Sequence, residues 1–195
     1  IGETRLERIE SLLAIRELND RYGHIQELII QPFRAKADTL MAAHPPADDD
    51  ELDWTIAVAR ILFGQHMSIQ APPNLSPGAE ARLIAAGIND WGGVSPVTLD
   101  HVNPEAPWPQ IEVLREKTAQ AGKTLVPRLP VYPRFIEESK VWFSSRISDR
   151  ARLRSDSTGL ARTDYWCPGE LTEPPSRIGS FPAVTVPGTI GQIRV

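Results

Sequence analysis

Cysteine is almost absent from this chain: Cys167 is the only one among 195 residues. One thiol can neither close an intrachain disulfide nor build a multi-cysteine metal site, and such scarcity fits a reducing, cytoplasmic compartment. Long apolar runs are missing too. No stretch approaches the roughly 18–20 residues that a membrane helix needs, and the opening Ile1-Gly2-Glu3-Thr4-Arg5 has neither the basic flank nor the apolar core of a signal peptide. Blocks of positive charge are equally lacking. With 21 Lys and Arg against 25 Asp and Glu, the net charge of −4 offers no footprint for a nucleic-acid backbone or an anionic membrane. His24, His44, His66 and His101 are scattered without metal-ligand spacing. What remains open is a small polar ligand. The 41% hydrophobic and 24% charged content suits one globular domain with a sizeable core.

Helix and strand signals alternate. Thr4 with Glu7 reads as a capping box, followed by an apolar stripe of Leu6, Ile9, Leu13, Leu12, Ile15 and Leu18 that runs to about Tyr22 and stops at Gly23. Residues 24–31 read as a strand, nearly continuous in apolar character, as a parallel strand covered on both faces is. A helix is expected over 50–63, with Asp48, Asp49 and Asp50 as a dipole-matched cap and Trp54, Ala57, Val58, Ile61 and Leu62 facing inward, ending at Gly64. A strand over 67–71 follows, then a helix capped by Ser76 and ending at Gly87, a strand from Ile88, a helix over 109–121 ended by Gly122, and a weak strand over 124–129.

Helix, glycine, then short strand therefore recurs, which calls for a parallel sheet, either doubly wound or closed into a (β/α)8 barrel. Connections from strand to helix are long and proline-bearing, those from helix to strand minimal. That asymmetry favours the barrel, whose sites sit at the C-terminal ends of the strands; the absence of a nucleotide-type Gly-x-Gly-x-x-Gly weighs against the doubly wound form. From about Ser148 the helical period is lost. The expected organisation is thus α/β, with residues 1–149 in the barrel part and 150–195 as a linker or tail. Residues 184–186 and 190–195 are able to pair as strands in a runner-up reading. The chain also opens directly ahead of a capped helix, as a sequence does when cut at the end of a strand, so a fragment is expected.

The candidate site residues stand where strands end. Ile88-Asn89-Asp90-Trp91-Gly92-Gly93 joins an apolar entry, polar and aromatic groups and paired glycines that let backbone approach a ligand. Gln70 and Asn74 occupy the equivalent place after the preceding strand, and Gln31, Phe33 and Arg34 after the one before. Arg34 offers a planar fork of donors for a carboxylate or a planar polar ligand. Phe33 is placed either to stack on an aromatic ligand or to serve in packing. Strand alternation sets Asn89 and Trp91 on one face and Asp90 on the other, making Asp90 the first of the three to set aside.

The runs HIQELIIQPFR with Ala35 and Lys36, IQAPPNLS, AGINDWGGVSPVT, DHVNPEAPWP and RLPVYPRF, in that order over residues 1 to about 137, resemble the deazaflavin-forming radical S-adenosylmethionine (SAM) enzymes. The resemblance implies the C-terminal part of a (β/α)8 barrel that closes the deazaflavin ring of the coenzyme F420 precursor. A 4Fe–4S cluster and SAM would supply a 5′-deoxyadenosyl radical to an adduct of tyrosine-derived hydroxybenzyl and ribitylaminouracil, which cyclises with loss of ammonia. The family's C-x3-C-x2-C motif is not in this chain, so no metal ligand is expected here. Ile1-Gly2-Glu3 resembles the end of the family's SAM-contacting strand motif, which implies Gly2 and Glu3 on the SAM side. Gln31, Phe33, Arg34, Gln70, Asn74, Asn89, Asp90, Trp91, Gly92 and Gly93 are implied on the substrate side. Implied partners are an N-terminal barrel half and, in fused forms, a tyrosine-cleaving half reached through the tail. A menaquinone-pathway or biotin-synthase-like radical enzyme, and a non-catalytic ligand-binding half barrel, remain as alternatives.

Overall fold

The computed structural model describes residues 2–163 and 192–194. Its elements, in chain order, are α1 (Arg5–Tyr22), β1 (Glu27–Ile29), α2 (Asp49–Phe63), β2 (Ser68–Gln70), α3 (Glu80–Ala86), α4 (Ile111–Gln120), β3 (Thr124–Val126), α5 (Pro133–Glu137), α6 (Ser139–Trp142), α7 (Ser145–Arg154) and β4 (Gln192–Arg194). The fold is mixed α/β with parallel strands. β1 pairs with β2 in the register Glu27 to Ser68, Leu28 to Ile69 and Ile29 to Gln70, and a parallel bridge carries the pairing on from Gln70 to Asp90. β3 pairs in parallel with β4. Among the described residues these strands form two short pairs and do not close into a ring.

Helices α1 to α4 pack on one another in chain order, and their inner faces meet the strands in one core that contains Ile56, Ala59, Ile69, Leu83, Trp91 and Leu114. Full burial of an aliphatic side chain such as Ile56 stabilises the fold by about 1.5–3 kcal/mol. No helix of the described residues is long and apolar enough to cross a membrane.

Local chemistry sets the element ends. In α1 the expected capping box forms: the Glu7 amide donates to Thr4 Oγ1 at 3.3 Å and the Thr4 amide to Glu7 Oε2 at 2.7 Å. Gly23 closes the helix in the left-handed region at φ 64°, where a Cβ would be strained. Asp48 caps α2 by accepting from the Asp50 amide at 2.8 Å.

Four sequence expectations need correction. The expected stripe of α1 is mostly outward, with Leu6, Leu13 and Leu18 exposed and Leu12 alone fully buried. The buried face of α2 is Leu52, Thr55, Ile56 and Ala59, while Ile61 is exposed. Hydropathy misled the phase because Thr55 is a polar member of the inner stripe, its hydroxyl satisfied by the Glu51 carbonyl at 2.7 Å. Ser76 caps nothing. Pro73–Leu75 forms a 3-10 turn, Gly78 takes φ 83°, and α3 starts only beyond that non-helical glycine, at Glu80. The strand expected from Ile88 is a single bridge, since Gly92 turns to φ 80° and ends the extended run.

The helices α5 and α6 are too short for a legible period, and α7, which contradicts the expected loss of helix from about Ser148, buries no residue and so carries no apolar stripe. α7 runs past residue 150 to Arg154, and β4 falls within the runner-up strand segment 190–195. Residues 164–191 and 195, which include Cys167 and residues 184–186, and Ile1 at the start lie outside the described residues.

Candidate functional site

Strand alternation builds the site. Leu28, Ile69 and Trp91 turn into the helix-covered core, so Glu27, Gln70 and Asp90 turn to the opposite face. Two residues from the segment after β3 complete the group. Gln26, just ahead of β1, accepts from the Tyr132 amide at 3.3 Å and donates to the Pro130 carbonyl at 3.3 Å, docking that segment on the first strand.

Arg128 lies at the centre. Its Nε donates to Asp90 Oδ2 at 2.7 Å and its Nη2 to Asp90 Oδ1 at 3.2 Å, the two-pronged geometry that suits guanidinium to carboxylate. Nη2 also stands 3.6 Å from Glu27 Oε2, and the guanidinium carbon lies 4.4 Å from the Tyr132 ring centroid. Asp90 is wholly buried and accepts a further bond from the Gly92 amide at 2.7 Å. Tyr132 Oη donates to Glu27 Oε2 at 2.6 Å, and the Gln70 side-chain amide donates to the same oxygen.

Burial opposes the charge on Arg128, but hydrogen bonding and attraction to Asp90 outweigh it and raise its pKa, so the residue remains a cation. Burial, then the charge of Asp90 and the bond to Glu27, push the Tyr132 phenol above its usual range. It is therefore a neutral donor. The group as a whole offers two carboxylates, one guanidinium, a phenol and an amide, a set able to orient a polar ligand through several directional bonds.

A cleft of about 540 Å³ opens beyond the C-terminal end of β1, where Gly2, Glu3, Gln31, Phe33, Arg34 and Lys36 all contribute to its wall. The two residues assigned to the SAM side and three of those assigned to the substrate side thus share one cavity. Phe33 meets His44 edge-on at 5.4 Å. Arg34 Nη2 donates to the Leu75 carbonyl, while its buried Nε has no hydrogen-bond partner.

The rim is braced from the loop at 100–106. Asn74 donates to Asp100 Oδ2 at 2.9 Å and to the Ala106 carbonyl at 3.1 Å. Lys36 Nζ bridges Asn103 Oδ1 at 2.8 Å and Glu105 Oε1 at 2.7 Å. Burial works against ionisation of Asp100, but bonds from Asn103, Asn74 and the Val102 amide win and bring its pKa down to about 2.

Asn89 and Trp91 stand on the other side of the strand segment. Asn89 Oδ1 accepts from the Ile69 amide at 2.9 Å and from Arg60 Nη2 at 3.0 Å. Trp91 is fully buried, and its indole donates to Thr118 Oγ1 at 3.1 Å. Asp90, which alternation set apart, shares its face with Gln70. Gly92 must be glycine on two counts: its φ of 80°, and Gln70 Oε1 lying where a Cβ would project. Gly93 has open space around it.

Glu27, Arg128 and Tyr132 were not among the residues singled out from sequence. A signal for Glu27 was present, since a lone carboxylate in the run Ile25 to Ile30 is unusual for a core strand. Arg128 and Tyr132 carried no such mark, because their significance lies in contacts with Asp90 and Glu27 far back in the chain.

No protein-family model matches this sequence, and no solved structure matches it. Among curated proteins the similarity is extensive. The FO synthase of Streptomyces avermitilis is 52% identical over 176 residues, which are 90% of this chain and 20% of that protein. The FO synthase of Mycobacterium tuberculosis is 49% identical over 83% of this chain and 19% of its own length. The 7,8-didemethyl-8-hydroxy-5-deazariboflavin synthase of Methanopyrus kandleri is 44% identical over 83% of this chain and 48% of its own length. The chain therefore spans about a fifth of the two FO synthases and about half of the Methanopyrus protein. The resemblance read from the motifs is borne out along most of the sequence: this chain is similar to the FO synthases over the greater part of its length and corresponds to part of theirs.

Proposed function

We propose that this chain is the C-terminal part of a (β/α)8 radical SAM barrel in an enzyme that forms the deazaflavin FO, the precursor of coenzyme F420. The observation that carries this reading is the 52% identity to an FO synthase across 90% of the chain. The parallel β1–β2 pair under helices packed in chain order supports it, since a stretch of such a barrel has that arrangement. The substrate is the adduct of hydroxybenzyl and ribitylaminouracil, which cyclises with loss of ammonia.

The reading calls for a 4Fe–4S cluster and SAM. The described residues hold no cysteine and no trio of His, Cys, Asp or Glu able to grip a metal ion, so the cluster does not fit them and no step is routed through it. The chain's own part is to bind and orient. Gln31, Phe33 and Arg34 meet the substrate at the rim, which Asn74 braces from behind, with Gly2 and Glu3 on the SAM side of the same cleft. Gln70 and Asp90, with Glu27, Arg128 and Tyr132, form a separate polar group on the strand face that orients the substrate. Asn89 and Trp91 act from behind by fixing the strand, and Gly92 and Gly93 keep the approach clear. The remaining barrel strands and a tyrosine-cleaving half are the partners of this reading, with residues 150–195 as the connecting tail and the cytoplasm as the compartment.

The test is an assay of a complete protein carrying this segment, supplied with reductant, SAM and the adduct. Fluorescent FO together with 5′-deoxyadenosine is the expected product pair. SAM cleavage without FO would assign the chain to another radical enzyme, and neither product would leave a non-catalytic binding role.

A further inference from the structure

Glu27 is asymmetrically satisfied. Its Oε2 collects every donor within reach, Tyr132 Oη at 2.6 Å, the Gln70 amide and Arg128 Nη2 at 3.6 Å, whereas Oε1 has no hydrogen-bond partner among the described residues. The side chain is 30% exposed. The nearby cation is already engaged: Arg128 gives its two shortest bonds to Asp90, at 2.7 and 3.2 Å. Two carboxylates therefore share one guanidinium, and Glu27, at 30% exposure against none for Asp90, is the one that solvent reaches. Two residues along β1, on the same face, Ile29 is half exposed and offers an apolar surface there.

We propose that Glu27 is a binding residue for a primary ammonium group attached to an apolar or aromatic body, taking the N–H donors on Oε1 while Tyr132, Gln70 and Arg128 fix Oε2. A metal ion is the poorer occupant, because no trio of His, Cys, Asp or Glu suited to holding one exists among the described residues. An anion is repelled by the surplus carboxylate. A primary ammonium matches both the charge and the donor count. This inference rests on the reading of the chain as part of an FO-forming enzyme, where the adduct carries a hydroxybenzyl group and the nitrogen that departs as ammonia; Glu27 would hold the adduct by its amine. Tyr132 and the Arg128–Asp90 pair are positioning residues, since they act through Glu27.

The experiment uses this chain itself, with glutamate carboxyl carbons labelled for NMR. Benzylammonium chloride is titrated in, with benzyl alcohol as the neutral probe of the same shape and sodium chloride as the salt control. The expected result is a saturable shift of the Glu27 Cδ resonance with benzylammonium alone. Followed on the Gln70 side-chain amide, binding weakens about tenfold or more in Glu27→Gln, as loss of a charged hydrogen-bond partner implies. The comparison of amine with alcohol on the Glu27 Cδ resonance of the wild type needs no variant, and this keeps the test decisive where Glu27→Gln does not fold. Equal responses to amine and alcohol, no response to either in the folded wild type, or unchanged binding in a folded Glu27→Gln would each overturn the inference. None of these outcomes bears on FO formation by a complete protein, so the failure of one reading is separable from that of the other.

Discussion

Arg128 reaches across 38 residues of sequence to Asp90 and binds it through two nitrogens in a setting where Asp90 has no exposure and the Arg128 side chain only 9%. Removing either partner leaves the other charged in a place that water does not reach. Arg128→Met and Asp90→Leu should each cost about 3–5 kcal/mol, and the double variant less than the sum of the two. Urea unfolding of the four proteins measures this. Arg128→Lys should restore little, because an ammonium cannot engage both carboxylate oxygens in a plane. Additive losses would show that the pair is not coupled.

The neighbouring glycines separate conformational need from mere smallness. Gly92→Ala should lose about 1–2 kcal/mol from the left-handed backbone alone, and more from contact with Gln70. Gly93→Ala meets nothing within 4 Å and has no positive φ, so it should stay within about 0.5 kcal/mol of the parent. Melting temperatures of the two variants, measured side by side, decide the matter.

Asp100 gives the fold an acid-sensitive contribution. Its folded pKa of about 2 lies below the ordinary 3.8, so its stabilising effect is fully present above the ordinary value and is lost as pH falls from there through about 2. Denaturant midpoints of the parent and Asp100→Asn should differ at pH 6 and converge toward pH 2. A direct NMR titration of the Asp100 carboxyl should find its midpoint near the lower figure. A midpoint at the ordinary value would mean that the bonds from Asn74 and Asn103 are absent in solution.

Trp91 should behave as a packing residue. Trp91→Phe removes the indole donor and part of the ring from a site closed to solvent, and should destabilise the chain by about 1–3 kcal/mol. Thr118 keeps its own donation to the Leu114 carbonyl at 2.7 Å, which limits the loss. The expected readouts are a lowered melting temperature and unaltered benzylammonium binding. A weakened affinity with unchanged stability would place the indole against the ligand instead.

Short-range chemistry was legible in the sequence. Thr4 and Glu7, Gly23, and the aspartates before α2 declared their element ends because each acts on backbone within a few residues. The parallel pairing of β1 with β2 followed from helix-to-strand punctuation. The inner phase of α2 is obscured by a polar Thr55, α5 and α6 by brevity, and α7 by the lack of any buried residue. The polar group was least legible. Glu27 and Tyr132 are 105 residues apart, and nothing in the spacing of either announces that contact. Gln70 was singled out for its place at a strand end, yet the carboxylate beside it was passed over as part of an apolar run.

Lys36 has a consequence beyond the two bonds it makes. By joining residue 36 to 103 and 105, it turns two separate spans of irregular backbone into one tethered rim over the cleft, so neither can swing outward alone. The tether is ionic, and its lysine is one-third exposed and its Glu105 about half exposed, so dissolved salt competes for it directly. Amide hydrogens of 100–106 should exchange somewhat faster in concentrated salt at unchanged global stability, the Asn74 bonds to Asp100 and Ala106 keeping the loop in place.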